Sequence, residues 1–249
     1  MNGRVLTATR LGFREQARRP LLLVLLVVLP FFFITRAIAR TEPAPRRIGL
    51  PGGLELLTTM KDIHGASMVT ITVGFLAALC GAFIMRSAQS ADRRLVVAGF
   101  RPIEVVLPRL LVLASATGVV LAVSLAVTAL SFTPASWPEF IAGNLLVGLT
   151  YACIGALAGA ALGQLGATYL VLFTAMLGIG ILQNPMFGDG TPGGLAYAFP
   201  DYGAGRVLID GAFGTGFHAW GELALGLVWL AVLALAVGCV LRRLLRSAG

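Results

Sequence analysis

Six long apolar runs constrain this chain more than any other feature of it. They fall at residues 21–39, 66–86, 109–132, 139–163, 168–184 and 218–241. A helix needs about 20 residues to cross the roughly 30 Å hydrocarbon core of a bilayer, and its backbone amides must all bond within the segment. The expected fold is therefore an all-α polytopic membrane protein with six transmembrane helices. Composition agrees: 12% of the 249 residues are charged, against about a quarter in a soluble domain. The fourth and fifth runs are parted only by "QLGAT", so that turn is tight.

The basic residues set orientation. The net charge is +8, which in a soluble protein would raise nucleic acid as a partner. Here the arginines sit at the ends of apolar runs, as membrane topology requires, and no nucleic acid is expected. With both termini cytoplasmic, thirteen basic residues lie inside and six outside. The outer segment 40–65 holds most of the six, while 133–138 has none and 185–217 has three aspartates against Arg206. A competing reading takes "LLLVLLVVLPFFFITRAIAR" as a secretory signal with small residues at its cleavage site. Its long lead and the interruption at Arg36 argue against cleavage, and the later spans keep their orientation either way.

Before the first run, "RVLTATRLGFREQARR" puts Leu6, Phe13 and Ala17 on one helical face and Arg10, Arg14 and Arg18 in an adjacent stripe. Such a helix lies in the membrane interface with its arginines at lipid phosphates. The alternative is a solvated positive flank. Pro20 breaks the chain there and suits the first turn of the following helix.

Between the second and third runs stands "DRRLVVAGFRPIEVVLPRLL", an island of charge in an apolar chain. Residues 88–98 can continue the second helix out of the membrane, and Gly99 can close it in the left-handed conformation. Arg101-Pro102-Ile103-Glu104 then reads as a helix start, with proline in the first turn and an acid complementing the dipole. Leu95, Val96, Val97 and Phe100 are apolar yet fall beyond the bilayer, and exposed hydrophobes rimmed by charge mark a protein contact. The segment reads either as a helical hairpin tip that touches a cytoplasmic partner or as a loop whose arginines only set topology.

These residues carry a resemblance. The chain resembles the permease subunits of ABC-2 type transporters, including the daunorubicin-resistance type of exporter. The shared pattern is a helix before six spans and a charged inner segment on Asp92, Arg93, Arg94, Ala98, Gly99, Phe100, Arg101 and Pro102. It continues in a Gly/Pro-rich outer segment, "NPMFGDGTPGGLAYAFPDYGAGRVLIDGAFGTG", before the last span. Where this chain has Asp92-Arg93-Arg94, the family more often has a second glutamate. The resemblance implies a bacterial inner-membrane location and a coupling segment over 87–108. It implies that this segment docks into a cytoplasmic ABC ATPase present in two copies. It also implies a second permease copy or a related permease, and re-entrant outer helices over 185–217. A mobile outer loop is the alternative for that last segment. No G-x-x-x-x-G-K-[ST] phosphate loop occurs in the chain, so it would have no cofactor of its own, ATP and Mg belonging to the partner.

In the fourth run "GALAGAALGQLGA" places Gly155, Gly159 and Gly163 at i+4 spacing, a pattern that lets helix backbones approach closely, within one subunit or between two. Polar residues inside spans are few. Thr70 and Thr72, with Gln183 and Asn184, are the candidate substrate path that the resemblance implies; alternatively the threonines bond their own helix carbonyls and the amides lie at the interface. Asn144 and Tyr151, seven apart, share a face, and Glu222 begins the last span. His64 and His218 are lone boundary histidines, Cys80, Cys153 and Cys239 are small hydrophobes inside apolar runs, and no metal site is expected. The expected function is that of a non-catalytic exporter subunit moving a hydrophobic or amphipathic drug, lipid or glycolipid. The alternatives are an intramembrane lipid-modifying enzyme, which needs convergent acids or a nucleophile with its base, and an ion-coupled transporter, which keeps titratable groups at mid-membrane.

Overall fold

The computed structural model describes residues 2–17, 20–97, 99–187 and 191–246. The chain is 79% helical. Among the described residues five stretches are long and apolar enough to cross a membrane: Met60–Ser87, Ile103–Thr128, Trp137–Ala161, Leu165–Leu182 and Trp220–Leu245. The architecture is thus that of a helical, multi-pass membrane protein.

Helix α1 (Asn2–Ala17) lies against α4 (Pro102–Thr128), where Gly12 is buried on Val112. Leu6, Arg10, Leu11, Phe13 and Arg14 are exposed, and Arg18 lies outside the described residues. Helix α2 (Pro20–Arg40) begins at Pro20 and buries Leu26, Ile34 and Ile38 while leaving Phe31, Phe32 and Phe33 exposed. Helix α3 (Met60–Val97) is continuous over 38 residues. At 1.5 Å per residue it is about 57 Å long, far more than the ~30 Å of hydrocarbon, so it projects well beyond the 66–86 run. Helix α5 (Trp137–Ala161) turns at Leu162 into α6 (Gly163–Ala175), which continues as a π-helix over Met176–Leu182. A 3-10 turn (Gly194–Ala198), helix α7 (Tyr202–Phe213) and helix α8 (Trp220–Arg246) complete the chain.

Helices α3 and α5 form the centre. A Cβ at Gly155 would lie 1.9 Å from the Ala78 carbonyl oxygen, and one at Gly81 would lie 2.2 Å from that of Ala152. The two backbones therefore touch where side chains would normally keep them 8–10 Å apart. Gly159 meets Ala82 on the same seam. Gly163 does not extend this stripe. It takes φ +72 at the α5–α6 turn, a conformation that glycine adopts freely. The three glycines thus divide into two packing residues, both facing α3 of the same chain, and one turn residue.

The structure departs from the all-helical expectation between α2 and α3. Strands β1 (Pro45–Gly49) and β2 (Glu55–Thr59) pair antiparallel, with Pro45 opposite Thr59 and Gly49 opposite Glu55. Gly52 and Gly53, both at positive φ, make the turn, and Ile48 and Leu50 are buried. Each strand is only five residues long, too short for its alternation to stand out beside the flanking runs.

The connections gather at two ends. Gly49 accepts a hydrogen bond from Arg206, Ala135 donates to Ala212, and His218 packs beside Gly52. The hairpin, the α4–α5 connection and the segment between the π-helix and α8 thus share one end. Arg86 and Gly163 meet at the other. Helices α4, α6 and α8 carry broad exposed faces of Leu, Val and Phe, surfaces suited to lipid or to another membrane chain.

Candidate functional site

The charged island folds as a helical hairpin tip. Helix α3 runs to Val97, so Asp92 and Arg93 belong to its last turns, and Arg94 there is exposed. Gly99 takes φ +84, and the Phe100 amide donates to the Leu95 carbonyl at 3.0 Å. That six-to-one bond, with Leu95 and Phe100 as its apolar pair, is the Schellman ending of a helix. Arg101 is extended (φ −71, ψ 146), its amide donates to Glu104 Oε2 at 2.9 Å, and Pro102 opens α4. Arg101 is exposed and Glu104 is buried. Leu95 and Phe100 are partly buried, with one side packed against the main core. Among the described side chains of the tip, Arg94, Gly99, Arg101 and Ile103 are exposed.

The four candidate path residues do not form one site. Thr72 and Asn184 line a groove of about 400 Å³ between α2, α3 and α6, walled by Phe33, Met68, Phe75 and Met176. Thr72 donates to the Met68 carbonyl at 2.7 Å, and Asn184 Oδ1 accepts from the Met186 amide at 3.0 Å. Thr70 and Gln183 are on the other side. They border a cavity of about 20 Å³ beneath α7, together with Arg206, room for about one water. Thr70 Oγ1 lies 3.1 Å from both the Ala66 carbonyl and Asn144 Oδ1. The groove has the volume of a small-molecule pocket, and its walls are almost wholly apolar.

The most polar buried region was hidden in the sequence. Helix α7 is buried along nearly its whole length. Arg206 Nη1 donates to the Gly49 carbonyl at 2.8 Å, tying α7 to the hairpin. Asp210 Oδ2 accepts from the His218 and Ala219 amides at 2.6 and 3.0 Å, tying α7 to the start of α8. Asp201, just before α7, is 1% exposed. Its Oδ2 lies 3.0 Å from the Tyr151 hydroxyl, which is also 3.1 Å from the Thr174 carbonyl. Burial pushes the Asp201 carboxyl up to about 6, against hydrogen bonds from Tyr151, its own backbone and Gln183 that lower it. Burial, reinforced by a hydrogen bond with Tyr197, likewise raises Tyr202, while nearby Arg206 opposes the rise.

Sequence reading took the acids and arginine of 185–217 as charges of an outer loop. The available signal was spacing: Tyr202, Arg206 and Asp210 recur every four residues among Gly, Ala and aliphatic neighbours, one face of a helix. Tyr151 as the partner of Asp201 had no such signal, since 50 residues separate them. Among the described residues no group of three His, Cys, Asp or Glu side chains is placed to hold a metal. No protein-family model matches the chain, and no curated protein matches it.

Proposed function

We propose that this chain is the membrane-spanning subunit of an ATP-driven exporter, of the kind its sequence resembles. In this reading α2 is a sixth span and both termini face the cytoplasm. The bonded end of the bundle, with the hairpin and a re-entrant α7, faces out. The observation that carries the reading is the rigid projecting tip. A helix longer than the bilayer is thick, a Schellman turn and a capped helix start make a polar knuckle that holds its shape. Its exposed Arg94, Gly99 and Arg101 are arranged to seat in a groove of a cytoplasmic ATPase, which would bind ATP and Mg. The apolar groove then supplies part of the path for a hydrophobic or amphipathic cargo, with a second copy or a related permease closing it.

Co-purification tests this directly. The chain, expressed together with the cytoplasmic ABC ATPases of its own organism, should bring one of them down, and reversing Arg94 and Arg101 to glutamate should lower the yield of the pair at least tenfold. Retention of the full complex by the double reversal, or cargo movement by the chain alone in vesicles, would sink the proposal. Ion-coupled transport is the second reading, favoured by one observation: the buried carboxyl of Asp201. It requires ion-gradient-driven uptake or efflux in vesicles without ATP.

A further inference from the structure

Hydrogen counting around Tyr151, midway along α5, leads beyond the transport reading. The Tyr151 hydroxyl has one hydrogen and two oxygen neighbours at bonding distance, the Thr174 carbonyl at 3.1 Å and Asp201 Oδ2 at 3.0 Å. If Asp201 is ionised it can only accept. The single hydroxyl hydrogen then serves one neighbour and leaves the other as an unbridged oxygen pair. If Asp201 carries a proton, its own O–H donates to the tyrosine oxygen and the tyrosine O–H donates to Thr174, so both contacts are bonds. Burial favours the neutral acid: Asp201 Oδ1 is buried with no hydrogen-bond partner, and a bare anionic oxygen there costs more than a neutral carbonyl oxygen.

No cation stands in for the proton. The groups that act on Asp201 are Tyr151, Gln183 and its own backbone, none of them charged. Arg206, one turn along α7, is bonded to the Gly49 carbonyl, and it and Glu222 of α8 act on the neighbouring Tyr202 together with Tyr197. Gly178, within the π-helix, completes the enclosure. A Cβ there would lie 2.8 Å from the Tyr151 hydroxyl and 2.9 Å from Asp201 Oδ2. Irregular π turns recur at functional sites, and this one leaves room for the oxygen pair.

We propose that Asp201 is a proton-binding site: as the neutral acid it completes a two-bond relay, Asp201 to Tyr151 to Thr174, that fastens the segment entering α7 to α5 and α6, and loss of its proton breaks one bond and loosens that segment. The ligand is the proton itself. Release leaves a carboxylate on Asp201 and returns the hydron to water, with no other bond made or broken. The step needs neither ATPase nor cargo, so its failure and that of the transport reading are distinguishable.

The test uses the purified full chain in detergent. Infrared difference spectra between about pH 5 and about pH 8, bracketing the Asp201 value of about 6, should show a protonated-carboxyl band lost on raising the pH. Asp201→Asn should lack that band. Hydrogen exchange of residues 194–213, corrected for intrinsic rate, should quicken several-fold over the same range in the wild type and stay flat in Asp201→Asn. Should that variant fail to fold, Tyr151→Phe serves: it removes the acceptor of the carboxyl hydrogen, so the band should move to higher frequency. A wild type with no titrating band, a band that survives Asp201→Asn, or one that Tyr151→Phe leaves in place overturns the proposal.

Discussion

Single atoms decide much of this fold. At Gly155 even one added carbon would sit 1.9 Å from a backbone oxygen of α3, so Gly155→Ala must push α3 and α5 apart. Overpacking of this kind costs about 1–3 kcal/mol, and the thermal midpoint in detergent should fall accordingly. Gly118→Ala on α4, with nothing within 4 Å of the new carbon, should hold or raise the midpoint by virtue of helix propensity. Equal effects of the two would refute the packing argument. Asp201 gives a pH-dependent term of defined sign. Its folded value of about 6 lies above the ordinary 3.8, so the folded chain binds the extra proton. That stabilisation is complete below about pH 3.8 and is lost as the pH rises through about 6, amounting to about 3 kcal/mol. Midpoints measured across this window should drop in the wild type and change less in Asp201→Asn; a rise with pH would contradict the sign. The packing pair Gly155 and Gly159 could be read from i+4 spacing, but Gly163 could not be separated from them. Spacing alone does not reveal where a helix ends in a left-handed turn.

At the scale of elements, the tip between α3 and α4 and the brace between α7 and the hairpin are the devices that hold loops still. Gly99 at φ +84 tolerates few side chains. Gly99→Val should cost about 1–2 kcal/mol and reduce recovery of an associated ATPase, whereas Gly99→Asn, which visits the left-handed region more readily, should restore most of it. Similar recovery with valine and asparagine would detach the tip's shape from its proposed role. Arg206→Ala removes the donor to the Gly49 carbonyl, and an unsatisfied buried acceptor costs about 1–3 kcal/mol. Hydrogen exchange over 45–59 should quicken several-fold with little change in α5; uniform change across both would mean general destabilisation instead. The tip was legible because glycine, proline and glutamate each mark a helix boundary by their own chemistry. The hairpin and α7 were not. The strands are too short to show their period, and a buried charge looks like a solvated one until its partner is known.

For the whole molecule, the alternation of connections between two ends makes topology a single measurement. Cysteines placed at Gly53 and Gly99 stand at opposite ends of α3, so membrane-impermeant labelling of intact cells should reach the first and not the second, once native Cys239 is replaced. Labelling of both, or only of the second, would reject the proposed orientation. Five of the six expected spans were readable since the hydrocarbon thickness imposes one length on every crossing helix. Which spans are central was not, because α3 and α8 both have strongly apolar stretches, of mean hydropathy 2.2 and 2.6, and only neighbours show which is enclosed. Helix α3 has no proline from Met60 to Val97, and it is clasped near its middle at Gly81 against Ala152. Under the proposed function that clasp would serve as a fulcrum: a sideways push on the knuckle would swing the far arm, with His64 and Met68, the opposite way and change the width of the groove they line.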